Sequence, residues 1–207
     1  GQSINQTDAN GAKQGKWTKT YTNGVPRYEG QFKNDKAYGQ FKHYYENGNI
    51  KAIINYSSDG IVARTKTFYE NSFPLAEGKY INQKKDSLWV YFSEFDGTLL
   101  SEENYKKGKL HGISKNYYPE TGKIAELVEY KNGLKEGKLR KYFPEGSKMT
   151  EGTYVKDQLD GDFTLYFPNG EIQLKGKYSK GLQINNWIYY NEEGEEISED
   201  DYKEEIE

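Results

Sequence analysis

Few side chains in this sequence are of the types that do covalent or metal chemistry. Cysteine is absent, which removes thiolate nucleophiles, disulfides and Cys-type zinc sites. The histidines are His43 and His111. Neither has a second ligand at the spacing of an HExxH helix or a paired-cysteine knuckle, so both read as ordinary strand or turn residues. Asn34-Asp35, Asp157 and Asp160-Gly161-Asp162 carry oxygen ligands, but no twelve-residue calcium loop follows them. Gly146 to Gly152 and Gly170 to Gly176 share a Gly-x-x-x-x-x-Gly spacing. Both lack the Lys-Ser/Thr ending and strand-to-helix setting of a phosphate loop, and read as turn glycines. No catalytic residue, metal or cofactor is expected, and the chain reads as a non-enzyme.

What remains is aromatic. There are 20 Tyr, 9 Phe and 3 Trp in 207 residues, against only 34% hydrophobic residues in all. Rings with interspersed lysines can stack on sugars or bases, and Tyr and Trp are enriched at the centres of protein interfaces. The net charge is -3, unevenly placed. Residues 192–207 hold ten of the 32 acidic residues beside Lys203, leaving 22 acidic and 28 basic residues, a net +6, over 1–191. A nucleic-acid binder would be more basic, so nucleic acid is disfavoured as a partner, whereas another protein is favoured and a glycan or lipid headgroup stays open. The weak candidates for contact are Trp17, Phe73, Trp89 and Trp187. The competing reading is that the tryptophans simply fill the third position of a repeated unit as packing.

That unit is what must position the rings. Turn glycines stand at Gly24, Gly48, Gly97, Gly122, Gly146, Gly170 and Gly194, with Ser72 in the one gap. The steps are 24 or 25 residues. Eight positions after each lies an aromatic: Phe32, Tyr56, Tyr80, Tyr105, Tyr130, Tyr154, Tyr178 and Tyr202. Fifteen after lies a small or turn-prone residue: Gly39, Ala63, Ser87, Gly112, Gly137, Gly161 and Asn185. Aromatic pairs such as Tyr44-Tyr45 and Tyr166-Phe167 precede the turns. A period of this size is the signature of a repeat array. Alternation in Phe163-Thr164-Leu165-Tyr166-Phe167 has a period of two, which argues strands, and recurrent glycine argues against helices.

The expected fold is therefore all-β: an elongated single-layer antiparallel β-meander built from tandem β-hairpins. Residues 1–13 read as a flexible polar leader, 14–191 as one repeat domain of seven to eight units, and 192–207 as a last strand remnant and acidic tail. The acidic tail reads first as a solvated end, with leader and tail also placed where they could cap the two edges. Asn23-Gly24, Asn47-Gly48 and Asn169-Gly170 predict type I′ turns, whose central residues both need positive φ. The third unit, with Ala63, Ser72 and Pro74, predicts distortion or a wider loop around residues 70–76. One extra residue in each of Glu94-Phe95-Asp96-Gly97 and Pro119-Glu120-Thr121-Gly122 accounts for the steps of 25.

Residues Gly39 to Gly48 and Gly161 to Gly170, in the pattern Gly-x-x-x-x-Tyr-Tyr-x-x-Gly or close to it, resemble the MORN repeat in its bacterial variant. Gly78 to Tyr80 and Gly176 to Tyr178 supply its Gly-x-Tyr part. The likeness runs over roughly residues 15–202. It implies a β-hairpin solenoid with a grooved face, and a family whose bacterial members are described as YwqK-like antitoxins or hypothetical exported proteins. The expected function is a non-catalytic scaffold that binds a protein through an aromatic-rich sheet face. The alternatives are an aromatic trough for a cell-envelope or carbohydrate ligand, and antitoxin-like neutralisation of a partner. Gly1-Gln2-Ser3-Ile4-Asn5 lacks an initiator methionine, which fits a chain beginning after a removed export signal. A periplasmic or cell-envelope location is accordingly favoured over the cytoplasm.

Overall fold

A computed structural model of the protein describes residues 3–206, and the side chains of residues 3–204. Gly1 and Gln2 of the expected leader and Glu207 of the tail lie outside the described residues. The chain divides after Gly108 into two units. The first holds β1 (Gln6–Thr7), β2 (Lys13–Thr20), β3 (Pro26–Lys33), β4 (Lys36–Tyr44), β5 (Ile50–Tyr56), β6 (Val62–Phe68), β7 (Pro74–Ile81), β8 (Lys84–Phe92) and β9 (Leu99–Lys106). Each strand pairs antiparallel with the next. The second holds β10 (Lys109–Leu110), β11 (Gly112–Tyr117), β12 (Ile124–Lys131), β13 (Leu134–Tyr142), β14 (Lys148–Val155), β15 (Gln158–Leu159), β16 (Gly161–Tyr166), β17 (Ile172–Ser179), β18 (Leu182–Tyr190), β19 (Glu196–Ile197) and the helix α1 (Glu199–Ile206). From β11 to β19 the strands again pair antiparallel in order, with β15 and β16 both against β14. Each unit is thus an open sheet of tandem hairpins, as short connections between successive strands dictate, and neither closes into a barrel.

Two kinds of turn alternate, and the Asn-Gly hairpin turns are not of the type expected. At Asn23-Gly24, Asn47-Gly48 and Asn169-Gly170 only the glycine has positive φ, at 85°, 90° and 95°. Tyr21 N donates to Val25 O at 2.8 Å and Gly24 N to Tyr21 O at 3.1 Å. That is a three-residue loop whose last residue is left-handed, with the ladder register shifting just before it, and not a type I′ turn. The type I′ turns sit in the connections between hairpins. There both central residues are left-handed, as at Asn34-Asp35 (50°, 62°), Asn82-Gln83 (49°, 62°) and Asn132-Gly133 (56°, 95°). The extra residue before Gly97 and before Gly122 is absorbed in the turn: Ser93 N reaches Thr98 O, and Tyr118 N reaches Lys123 O.

The third unit departs in a different place from the one expected. Ser72 adopts φ 71°, and Tyr69 N donates to Phe73 O at 2.9 Å, so the turn near 70–76 has the geometry of its glycine-bearing relatives. The irregularity lies one turn earlier. The other members of the second small set take positive φ, from Gly39 at 66° through Ser87 at 60° to Asn185 at 62°, but Ala63 does not. Elsewhere the register shifts by two residues at this position, as between Glu29 and Gln31. The β5–β6 ladder has no shift. The two residues that elsewhere form the bulge lie instead in the longer loop Ser57-Ser58-Asp59-Gly60, closed by Ser57 N to Val62 O at 2.8 Å.

Both ends are covered by the chain itself. β1 pairs with β2, and the Asn5 Oδ1 accepts from Thr18 N at 2.9 Å, so part of the expected leader is built into the first edge. At the other end Ser198 caps α1, its Oγ accepting from Asp201 N at 3.1 Å, with Glu199, Asp200 and Asp201 in the first turn. Carboxylates there favour the positive end of the helix dipole. Tyr202, expected on a strand, lies on this helix and is 8% exposed, its ring 4.9 Å from that of Tyr189. The last hairpin has no further strand to take the next rung, and a helix places one there.

Candidate functional site

Strand alternation sorts the side chains onto two faces. One carries the aromatic ladder. Its first row is the expected one, and a second row, seven or eight positions before each turn, interleaves with it. Ring centroids lie 5.9 Å apart for Trp17–Phe32, 5.2 Å for Phe32–Phe41, 5.4 Å for Phe41–Tyr56 and 4.8 Å for Tyr80–Trp89, each edge to face. In the second unit Phe163–Tyr178 and Tyr178–Trp187 are both at 5.2 Å. Edge-to-face contact places the positive ring edge on the negative face of its neighbour.

The second row rests on glycine. A Cβ added to Gly30, Gly78 or Gly176 would overlap the ring of Phe41, Trp89 or Trp187, and one on Gly152 would come within 3.0 Å of Phe163. Where the row holds a smaller residue, its partner grows: Ile54 pairs with Thr65 and Val128 with Leu139. Lysines then lie over the rings. Lys13 Nζ is 4.9 Å from the Trp17 centroid and 4.8 Å from that of Phe32. Lys85 Nζ is 4.7 Å from Trp89 and 4.9 Å from Tyr105, and donates to the Tyr91 hydroxyl at 2.6 Å. Burial, then hydrogen bonding with Tyr105 and Glu103, pushes the Tyr91 phenol far above its ordinary range. Each contact is a cation–π pairing in which an aliphatic stem covers apolar surface. The ladder is how a chain so poor in aliphatic residues makes a core.

This geometry decides the placement of the tryptophans. Trp89 is 3% exposed, with Nε1 donating to Lys79 O at 3.1 Å. Trp17 and Trp187 are half-buried in the same row; Trp17 Nε1 donates to Gln6 O at 3.2 Å, while Trp187 Nε1 is buried without a partner among the described residues. Of the four candidates, Phe73 is the most exposed, standing at the end of a turn with 39% of its surface open. Within the first unit Trp17, Phe73 and Trp89 lie on different hairpins. A signal for the seats was present in the sequence: wherever glycine follows a turn by six positions, an aromatic comes eleven later.

The opposite face is charged. Lys66 pairs with Glu77 at 2.9 Å and Lys177 with Asp162 at 3.2 Å, while Glu151 receives Lys148 at 3.1 Å and Arg140 at 3.6 Å. Tyr44 and Tyr166 hydroxyls donate to Glu29 and Glu151 at 2.8 and 2.9 Å. Burial pulls the Glu151 carboxyl upward, but the Tyr166 hydroxyl, Lys148 and Arg140 outweigh it and hold the group below its usual value. Shallow depressions recur on this face at Gly30, Gly78, Gly152 and Gly176. The one at Gly78 has a volume of about 470 Å³ and joins Leu88 and Val90 to Arg64, Lys66, Glu77 and Lys79. Leu88 is 45% exposed. Sequence reasoning passed over Leu88 and Val90; their signal was an apolar residue at positions where most other repeats carry a charged or polar one.

The histidines stand apart. His43 lies on the ladder face, 5.9 Å from the Tyr28 ring, and burial, then Lys51 and Arg27, hold its imidazole below the usual value. His111 Nδ1 accepts from Asn132 N at 3.4 Å. Among the described residues no three His, Cys, Asp or Glu side chains gather as a metal site would need. No described helix is long and apolar enough to cross a membrane.

Residues 13–34, 37–58, 110–132 and 159–180 match the family described as MORN repeat variant. These segments are together less than half of the chain. No curated protein matches. A solved structure described as "Crystal Structure of TarM" is similar over 47% of this chain and 20% of that chain, at 21% identity and a TM-score of 0.33. This chain spans about a fifth of that structure's length, and a likeness so slight carries no argument.

Proposed function

We propose that this MORN-repeat protein is a non-catalytic scaffold whose charged face, more than its rings, receives a protein partner. One observation carries the reading: depressions recur along that face at repeat spacing, and the one at Gly78 joins exposed Leu88 and half-buried Val90 to a rim of Arg64, Lys66, Glu77 and Lys79. An apolar centre within a polar rim is the anatomy of a protein interface. The ladder rings are engaged with one another and with lysines, so they serve as support for that face. The antitoxin role and a periplasmic or cell-envelope location remain part of the proposal and draw on the family resemblance.

The test is affinity capture with the chain and with Leu88→Arg as baits, using envelope and soluble fractions. A stoichiometric protein held by the first bait and lost from the second is the expected result. Its fraction locates the complex, and rescue of growth from that protein's toxicity tests the antitoxin role. A partner held equally by both baits would move the interface off this depression. Capture of a glycan instead of a protein would favour the carbohydrate reading.

A further inference from the structure

The second row lacks a ring at Thr65, Ser114 and Leu139, and the gap at Thr65 stands between two ring-bearing repeats. Between Tyr56 and Tyr80 the second row holds Thr65 where flanking repeats hold Phe41 and Trp89. Three departures from the repeat meet at this point. Thr65 replaces a ring. Ala63 replaces the left-handed residue, so the bulge is absent and the loop 57–60 is longer. Lys85 and Lys135, which cover rings elsewhere, pair with Tyr80 and Tyr130, whereas Tyr56 pairs with Ala63, and Ile61 holds the lysine's place in the sequence period. What remains is a cavity of about 350 Å³, lined by Ala52, Ile54, Tyr56, Ala63, Thr65 and Tyr80 among others. That volume is at the lower end of the range for small-molecule sites.

The cavity has a polar point on its wall. Thr65 is 6% exposed, and its Oγ1 is buried with no hydrogen-bond partner among the described residues. A buried hydroxyl left unpaired is unfavourable, and neighbouring Thr67 avoids this by donating to Ala76 O at 3.1 Å. No Asp, Glu, Lys, Arg or His lines the space, so an ion entering it would lose hydration without compensation. The walls are apolar and aromatic. Tyr56 and Tyr80 belong to the row that elsewhere receives a ring edge to face, as Tyr56 receives Phe41 at 5.4 Å and Tyr80 receives Trp89 at 4.8 Å.

We propose that this gap is a binding site for a small, neutral, planar aromatic molecule carrying one hydrogen-bonding group, of the kind of a phenol or an indole. The ligand's ring takes the missing rung between Tyr56 and Tyr80, and its hydroxyl or N–H pairs with Thr65 Oγ1. The site lies on the ladder face, shares only Thr65 with the depression at Gly78 on the charged face, and does not depend on the scaffold reading.

The test is titration by calorimetry and by NMR with 4-methylphenol and indole, beside benzoate, cyclohexanol and N-acetyl-tyrosinamide. Saturable binding of the first two, with benzoate and cyclohexanol excluded, is expected. Thr65→Val keeps the shape and removes the hydroxyl, and should weaken 4-methylphenol roughly three- to tenfold. Ile54→Gly with Thr65→Phe rebuilds the ring-on-glycine seat of the neighbouring repeats, and should stay folded while abolishing binding. Absence of binding to the wild-type chain would overturn the site, as would undiminished binding to the folded double variant. Equal affinity in Thr65→Val would overturn the polar contact. Binding of N-acetyl-tyrosinamide but of neither free aromatic would reassign the cavity to a partner's side chain and overturn the small-molecule reading.

Discussion

Glycine in this protein has two separate jobs, and substitutions distinguish them. At Gly78 the backbone is not left-handed, and the obstacle to a side chain is the Trp89 ring. Gly78→Ala should destabilise the first unit by about 1–3 kcal/mol through overpacking, read from urea unfolding midpoints. The pair Gly78→Ile with Trp89→Thr copies the Ile54–Thr65 pair and should be less damaging than the sum of its single changes, since residues in contact couple. Strict additivity would dissolve the notion of matched seats. His43 supplies a pH signature. Its imidazole is held below 6.5 by burial first, then by Lys51 and Arg27. As pH falls the unfolded chain therefore takes up the proton before the folded one. The stabilisation is complete above 6.5 and drains away as pH drops through the depressed folded value. His43→Phe should flatten that part of the curve of melting temperature against pH, and an unchanged slope would assign it to other groups.

At the scale of the element, the turns show what a sequence can and cannot reveal. Gly48 has φ 90° and open space around the position of a Cβ. Gly48→Ala should therefore be penalised by backbone strain alone, about 1–2 kcal/mol. Ser72, at φ 71° in the equivalent turn, should gain from Ser72→Gly, by up to about 1 kcal/mol after the added chain entropy of glycine. Thermal unfolding of the two variants should move in opposite directions. That each of these positions ends a hairpin was legible from spacing. The turn type was not. Asn-Gly suits both the type I′ turn and the three-residue loop ending in a left-handed residue, and the choice depends on how many residues lie between the last paired positions. Register is a property of two strands together, so the type I′ turn expected at Asn23-Gly24 lies instead at Asn34-Asp35. For the same reason the distortion expected at 70–76 lies at 57–63, where two residues moved from a bulge into a loop without changing the period.

For the whole chain, the question is how an array protects its ends. In repeat proteins stability sums over neighbouring contacts, and terminal repeats need caps. The acidic segment that looked like a solvated tail forms a helix and seats Tyr202 on Tyr189. Removing residues 198–207 should forfeit about 1.5–3 kcal/mol of apolar burial and loosen β18 and β19 first. Amide exchange should quicken in residues 182–197 and stay unchanged over β13 and β14, because local openings follow local contacts. Uniform acceleration through the second unit would show that the helix does more than cap.

By itself the sequence determined the period, the all-β class, the succession of hairpins and the aromatic character of one row. These follow from local rules: alternation has a period of two, and turns need residues that tolerate positive φ. Only the tertiary structure decided that Phe41, Trp89 and Trp187 are seated on glycines of the preceding strand, that lysines cover the rings, and that Trp89 is core. It alone also set Leu88 and Val90 among charges and left a rung empty at Thr65. Each of these depends on side chains from different strands meeting across a bulged register, and sheet packing is settled by cross-strand neighbours more than by any residue's own preference.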